Sequence, residues 1–536
     1  MSYPPPPGGP GGAYPQGQGG WVPQQGGAPY PPQGAPGHVG HPPPPQPGAA
    51  DGWPGGQPSY PSYPSHQSYP PHPTYPQQPP PGRGGGDQGK GMKRAVIGVV
   101  VLAVLAVLGV GGLAAYQAVG GGPLPTTSGD TQSEQLLSQE DIEELLDGRS
   151  QALQSGDQDA YLAPFTGKAK DTQQNLFQNL RKIPFSQAEY AILNQSGNTT
   201  DEYGDGATVA LDVAFVHKIQ NVDVRPVSEW YRWIIKRESK DAEPQITKVG
   251  PSPGAYGSAS YVYYPAPWDL YEDMHVVKQD HSLTISDKKY ASDTDRFAPY
   301  IEKAAKDDIE LWKSKGPAGT ETPTGFVAVL ERDRKTYSSL YGSESVEWEA
   351  GQSVPMPSFD ADSSGDEKDL EYGGARVKMD MSGKRFTNAT YWPKLVQEIS
   401  HHEFAHAIVQ PLEAASGFDS ETYPSWWVVE GFADYVAFRF DRELGEWNIR
   451  NDVTGKPFGG SLPNEAGFDD EVSTNYTLSY MAIRFIAEKG GEAAALKFVT
   501  DHYDNPDQLD QQLREATGMG ESEFEAAWAS YVRSNS

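Results

Sequence analysis

The chain has 536 residues, of which 42 are basic and 71 acidic, giving a formal charge of −29, with 37% hydrophobic residues and no cysteine. Such an acidic balance argues against a nucleic-acid backbone or an anionic membrane surface as the partner of the folded part. Without thiols there is no cysteine nucleophile, thiolate metal site or disulfide framework, and the length implies more than one domain.

Residues 1–92 are almost wholly Pro, Gly, Gln, Tyr, Ser and His, with Asp51 and Asp87 the only acidic side chains. Such a segment buries too little apolar surface to offset its ordering entropy, so a disordered tail is expected. Its Ser-Tyr-Pro repeats could engage cytoplasmic partners as extended proline-rich ligands, or the tail could be a solvated spacer. Residues 95–116 carry no charge over 22 positions, enough to span a hydrocarbon core of ~30 Å as one transmembrane helix. Arg83, Lys90, Lys93 and Arg94 precede this run and no Lys or Arg follows until Arg149. The positive-inside rule then places the tail in the cytoplasm and the remainder outside, as a single-pass protein of the cell membrane. Both the apolar run and the segment ahead of it are too long for a cleaved signal peptide. Removing the four basic and two acidic residues up to Arg94 leaves 38 basic against 69 acidic, so the outer part carries about −31.

A linker over 117–137 leads to a first outer domain over 138–253. Ser138 followed by Glu140 and Asp141 opens a helix with acidic residues in its first turn, and a second helix is expected near 168–181. Alternating apolar residues then predict strands at 188–193, 207–217 and 230–236. Helices first and a curved meander afterwards resemble the cone-shaped fold of the nuclear transport factor 2-like (NTF2-like) superfamily. That resemblance implies a ligand pocket, a dimerisation module or a spacer.

The second outer domain is expected over 258–536, with a boundary in the Pro- and Gly-containing stretch 251–257. Strands are predicted at 274–285 and 325–330 around a helix over 293–313, and a further strand at 375–381. From Trp392 onward the pattern is mainly helical, ending with 524–532. Asp360, Asp362, Ser364 and Glu371 stand at positions 1, 3, 5 and 12 of a calcium-loop pattern, with Gly365 at position 6. Glu367 at position 8 and the nearby Pro355 and Pro357 depart from that pattern. A Ca2+ loop and an acidic surface loop therefore both remain open.

The chemistry concentrates in His402-Glu403-Phe404-Ala405-His406 and in Glu430-Gly431-Phe432-Ala433-Asp434. On a helix over 392–410, His402 and His406 stack one turn apart and can turn both imidazoles toward a single ion. Leu395, Val396, Ile399 and Val409 share their stripe, the spacing of a helix facing a core. Glu403 points about 100° away, where it could reach a water on the metal rather than the metal. Pro424 and Ser425 read as the start of the next helix, with Ser425 as N-cap. Glu430 on that helix is the candidate third ligand, and Asp434 could accept the free N–H of a ligating histidine. His401 is expected on the solvent or substrate side.

His402-Glu403-x-x-His406 followed by Trp427-Val428-Val429-Glu430-Gly431-Phe432-Ala433-Asp434-Tyr435 resembles the gluzincin metallopeptidases, the thermolysin and aminopeptidase N-like group. The resemblance implies an α+β catalytic domain with a small mixed sheet, a helical lobe and one Zn2+ in the cleft between them. It also implies a peptidase using a metal-activated water with Glu403 as general base, and an edge strand at 375–380 pairing with the substrate backbone. A transition-state tyrosine is expected on the helix over 475–486, where Tyr476 matches best and Tyr480 stands one turn on. His502 reads as part of a surface turn. The amine-clamp motif of aminopeptidase N-like enzymes is not found ahead of His402. The competing expectation is a non-catalytic cell-surface module that retains the zinc site as a scaffold.

Overall fold

Ser138 caps the first described helix: its hydroxyl accepts from the Asp141 N–H at 3.1 Å while the Asp141 carboxylate accepts from the Ser138 N–H at 2.7 Å. The structure is a computed structural model and describes residues 137–536, apart from 198–208, 240, 254–261, 344, 346–348, 359–370, 414–422, 465–467 and 469–470. The tail, the apolar run 95–116, the linker up to 136 and nearly all of the calcium-loop pattern lie outside the described residues. Among those described, no helix is long and apolar enough to cross a membrane.

The fold is mixed α+β with two sheets. Helices α1 (Gln139–Ser155), α2 (Gln158–Leu162) and α3 (Gly167–Leu180) precede strands β1 (Phe185–Gly197), β2 (Val209–Ile219), β3 (Val227–Lys236) and β4 (Gln245–Pro251). The strands form an antiparallel meander in chain order. Beneath the helices the core is aromatic, with Tyr161, Phe165, Phe177, Tyr190, Phe215 and Trp233 all buried. Within it lies Arg149, whose guanidinium sits 3.7 Å from the Tyr161 ring centroid and 4.4 Å from that of Phe165. It also donates to Tyr161 Oη at 2.5 Å and to Gln173, so ring faces and acceptors together make a buried cation tolerable.

The second sheet comprises β5 (Met274–Lys278), β6 (Ser282–Asp287), β7 (Phe326–Glu331), β8 (Gly351–Pro357) and β9 (Tyr372–Asp380), in the order β5-β6-β7-β9-β8. Strands β6, β7 and β9 run parallel, with β5 and β8 antiparallel at the two edges. The apolar run 274–285 is thus a hairpin rather than one strand. The strand at 375–380 is not the edge strand expected. It lies between β7 and β8 and is buried at every position, while the edge falls to β8. Gly351-Gln352-Ser353-Val354-Pro355-Met356-Pro357 neither alternates nor forms an apolar run, which hid it from pattern reading, yet proline is tolerated on a sheet edge.

Helix α4 (Ala291–Lys315) and helix α5 (Trp392–Val409) pack together, with Phe404 of α5 stacked on Phe326 of β7 at 4.3 Å between centroids. Helices α6 (Trp426–Phe440), α7 (Val472–Gly490), α8 (Glu492–Asp504), α9 (Leu509–Thr517) and α10 (Glu521–Asn535) complete the helical lobe. The two sheets meet at the β2–β3 turn. There Val224 and Arg225 donate their N–H groups to the Gly373 carbonyl, and Arg376 makes a two-pronged pair with Asp223 at 2.7 and 3.0 Å. Gly374 is required at this joint, because a Cβ there would stand 2.3 Å from Asp223 Oδ1.

Candidate metal centre

Helix α5 begins with Pro393 in its first turn, and its apolar stripe turns His402 and His406 inward toward α6. His402 Nε2 and His406 Nε2 are 3.3 Å apart, and Glu430 Oε2 of α6 lies 3.3 Å from the first and 3.6 Å from the second. Donors about 2.1 Å from one tetrahedral ion stand roughly 3.4 Å from each other, so this triangle has the size of a zinc face. All three residues are buried.

The cluster leaves a buried carboxylate oxygen without a hydrogen bond. His402 Nδ1 faces Asp434 Oδ1 at 2.9 Å, which fixes an N–H on that nitrogen and leaves the Nε2 lone pair pointing at Glu430 and His406. Glu430 Oε2 is buried and outside hydrogen-bond geometry with any group. An orphaned carboxylate oxygen facing two imidazole nitrogens is costly unless a cation sits among them. The site draws positive charge to itself: burial would raise the Glu430 carboxyl, but the two histidines outweigh it and hold it below the usual carboxylate range. Burial would lower His402, but Asp434 and Glu430 hold it well above its ordinary value.

Glu403 is also buried and lies against β8, where a Cβ on Gly351 would be 2.6 Å from its Oε1. Burial raises its carboxyl above the ordinary value, the two histidines pull it down and Glu430 pushes it up. The Tyr476 ring stacks on the His402 imidazole at 6.1 Å and 22°, which puts this tyrosine at the centre. Phe468 packs edge-on against Tyr476, and Trp426 against Phe468. Tyr480 turns elsewhere, edge-on to Phe438 with its hydroxyl near Gly445, because its place on α7 is occupied by packing against α6 and the segment after it.

Two expectations about neighbouring histidines are corrected. His401 is not on the solvent side: its Nδ1 meets Asp308 Oδ1 of α4 at 2.7 Å and its ring stacks on Phe440, so it joins α5 to α4 and α6. His502 is not in a surface turn but buried in α8, where its Nε2 accepts the Ser425 N–H at 3.0 Å and its Nδ1 meets Gln512 Oε1. Ser425 is the N-cap of α6 without using its hydroxyl as a cap, and a histidine 77 residues away tethers the start of the helix that carries Glu430. Gly351, Gln410 and Phe468 are residues that sequence reasoning missed around the centre, and none of these types carries a metal-site signal; His502 was read but misplaced.

No protein-family model matches the chain, and no curated protein matches it at a significant level.

Proposed function

We propose that this protein is a zinc-dependent peptidase of the gluzincin kind, held to the cell membrane by the apolar run 95–116 with its catalytic part outside. The observation that carries this reading is the convergence of His402, His406 and Glu430 on one point, with a second carboxylate, Glu403, beside them and not among them. A structural zinc site would use four protein ligands, and among the described residues this one offers three. Zn2+ bound there would supply Lewis acidity and make water a usable nucleophile near neutral pH.

The chain's own residues do the rest. His402, held by Asp434, and His406 present fixed lone pairs, and Glu430 adds the negative charge that partly offsets the dication. Glu403 accepts the proton of the attacking water and delivers it to the departing amine, a role suited to a buried carboxyl raised above its ordinary value. Tyr476, whose ring stacks on that of His402, is the candidate to donate its phenol to the oxyanion that develops on the substrate carbonyl. The product is a hydrolysed amide.

Purified full-length protein should hold one zinc per chain and cleave a mixed peptide library. Glu403→Gln should keep the zinc and lose about 10²–10⁴-fold in turnover. Protein without zinc after metal loading would end this reading. Zinc with no cleavage by the wild type would instead support a non-catalytic surface module.

A further inference from the structure

Strand β8 runs past the candidate centre as the outer strand of its sheet, and its main chain has an open end and a closed end. The Asp380 N–H donates to the Ala350 carbonyl at 2.9 Å, which fixes the phase of the antiparallel pairing. Opposed pairs alternate, so Gly351, Ser353 and Pro355, opposite Met379, Val377 and Ala375, turn their own N–H and C=O groups away from β9. At Gly351 both groups are offered, directly beside the Glu403 carboxylate. At Ser353 the carbonyl is already taken by Gln410 Nε2 at 3.1 Å, while the Ser353 hydroxyl donates back to Gln410 Oε1 at 2.9 Å. Pro355 and Pro357 have no N–H to offer.

The edge is then sealed by the first domain. Ser358 forms a bridge with Val227 at the start of β3, and Arg225 of the β2–β3 turn reaches the Pro411 carbonyl at 3.4 Å, immediately after Gln410. A peptide lying along β8 therefore finds three main-chain partners: the Gly351 N–H, the Gly351 carbonyl and the Ser353 N–H. Antiparallel addition, the more stable pairing, directs the N-terminal part of such a peptide from Gly351 toward the closed end.

Resting on the peptidase reading above, we propose that this protein releases fragments of about three residues or fewer from the N-termini of its peptide substrates. The length is set by Gln410, Pro355 and the β2–β3 turn acting as a wall. The test is mass spectrometry of the first products from metal-loaded full-length protein and synthetic dodecapeptides, with free and with acetylated N-termini. First-formed N-terminal fragments of about one to three residues are expected, lengthening to about five or more in Gln410→Ala and in Pro355→Ala, which restores an edge N–H. N-terminal fragments of five or more residues from the wild type at the earliest times overturn the proposal and leave the peptidase reading standing. So do single residues leaving the C-terminus, or wild-type fragment lengths in both variants. If no peptide is cleaved, the peptidase reading fails and takes this one with it.

Discussion

Arg376 and His402 both sit in buried polar clusters served by the same sheet, yet the clusters are built in opposite ways. Arg376 is 0% exposed and is answered by Asp223, also buried, across two hydrogen bonds, with His217 Nε2 at 3.1 Å from the same Nη2 that meets Asp223 Oδ2. Nearby Glu229 is pushed well above the ordinary carboxyl range, first by burial and then by Asp269. In that sense the cluster is closed: its charge meets a buried counter-charge, although Arg376 Nε and Glu229 Oε1 are themselves buried without a hydrogen bond. Around His402, Nδ1 is taken by Asp434, while the Nε2 atoms of His402 and His406 and the Glu430 carboxylate face one another across 3.3 to 3.6 Å with Glu430 Oε2 outside any hydrogen bond. Neither burial nor an orphaned polar atom alone therefore marks a functional site; a carboxylate and two imidazole nitrogens converging at metal-ligand spacing do.

The first prediction breaks the closed cluster. Arg376→Met leaves Asp223 charged and alone in the interior, and should cost about 3–5 kcal/mol of unfolding free energy, read by urea denaturation of the full-length protein. Replacing Asp223 by Leu in the same chain should recover much of that loss, since a buried pair is often worth little against apolar residues of similar volume. A loss below about 1 kcal/mol in the single variant would mean that Asp223 reaches water, and the cluster is not closed.

A smaller effect is expected at the open cluster, where the change is not in the count of charges that face the ion. Asp434→Asn keeps an acceptor for His402 but removes the charge behind it, and should weaken metal binding by about 10–100-fold in chelator competition. An unchanged affinity would mean that the α5 and α6 backbones alone orient His402.

The two clusters also differ in how far they were legible. His402, His406, Glu403, Glu430 and Asp434 are each readable from helical spacing, because a period of 3.6 is local and both helices are strongly patterned. Tyr476 could be reached from its place on α7, although only packing separates it from Tyr480. The Asp223–Arg376 pair joins residues 153 apart in sequence and leaves no periodic trace. Strand β8 was invisible for a related reason, since its composition suits an edge and edges lack a sequence period. The fold class and the first helix cap were readable. The strand order was not, because register is set by contacts that do not repeat along the chain.

The gentlest test uses pH to set the two regions against each other. Asp269 lies beside the closed cluster and accepts from the Tyr231 hydroxyl at 3.1 Å and from the Ala266 N–H at 3.0 Å. Burial pushes its carboxyl up to about 7, against the pull of Ala266, Tyr231 and Arg149. The folded chain therefore holds this proton more tightly than the unfolded chain does. Its stabilising contribution is complete below the ordinary carboxyl value and is lost as pH rises through about 7. Glu430 is shifted the other way, so its contribution is present above the ordinary carboxyl value and is lost as pH falls. Asp269→Asn should remove the alkaline slope alone, gaining about 1–2 kcal/mol over the wild type at pH 8 and little at pH 4.5, measured by urea midpoints. Equal midpoint shifts at both pH values would mean that Asp269 is ionised in the folded protein throughout, and that the surroundings of Arg149 and Asp269 are solvated rather than closed.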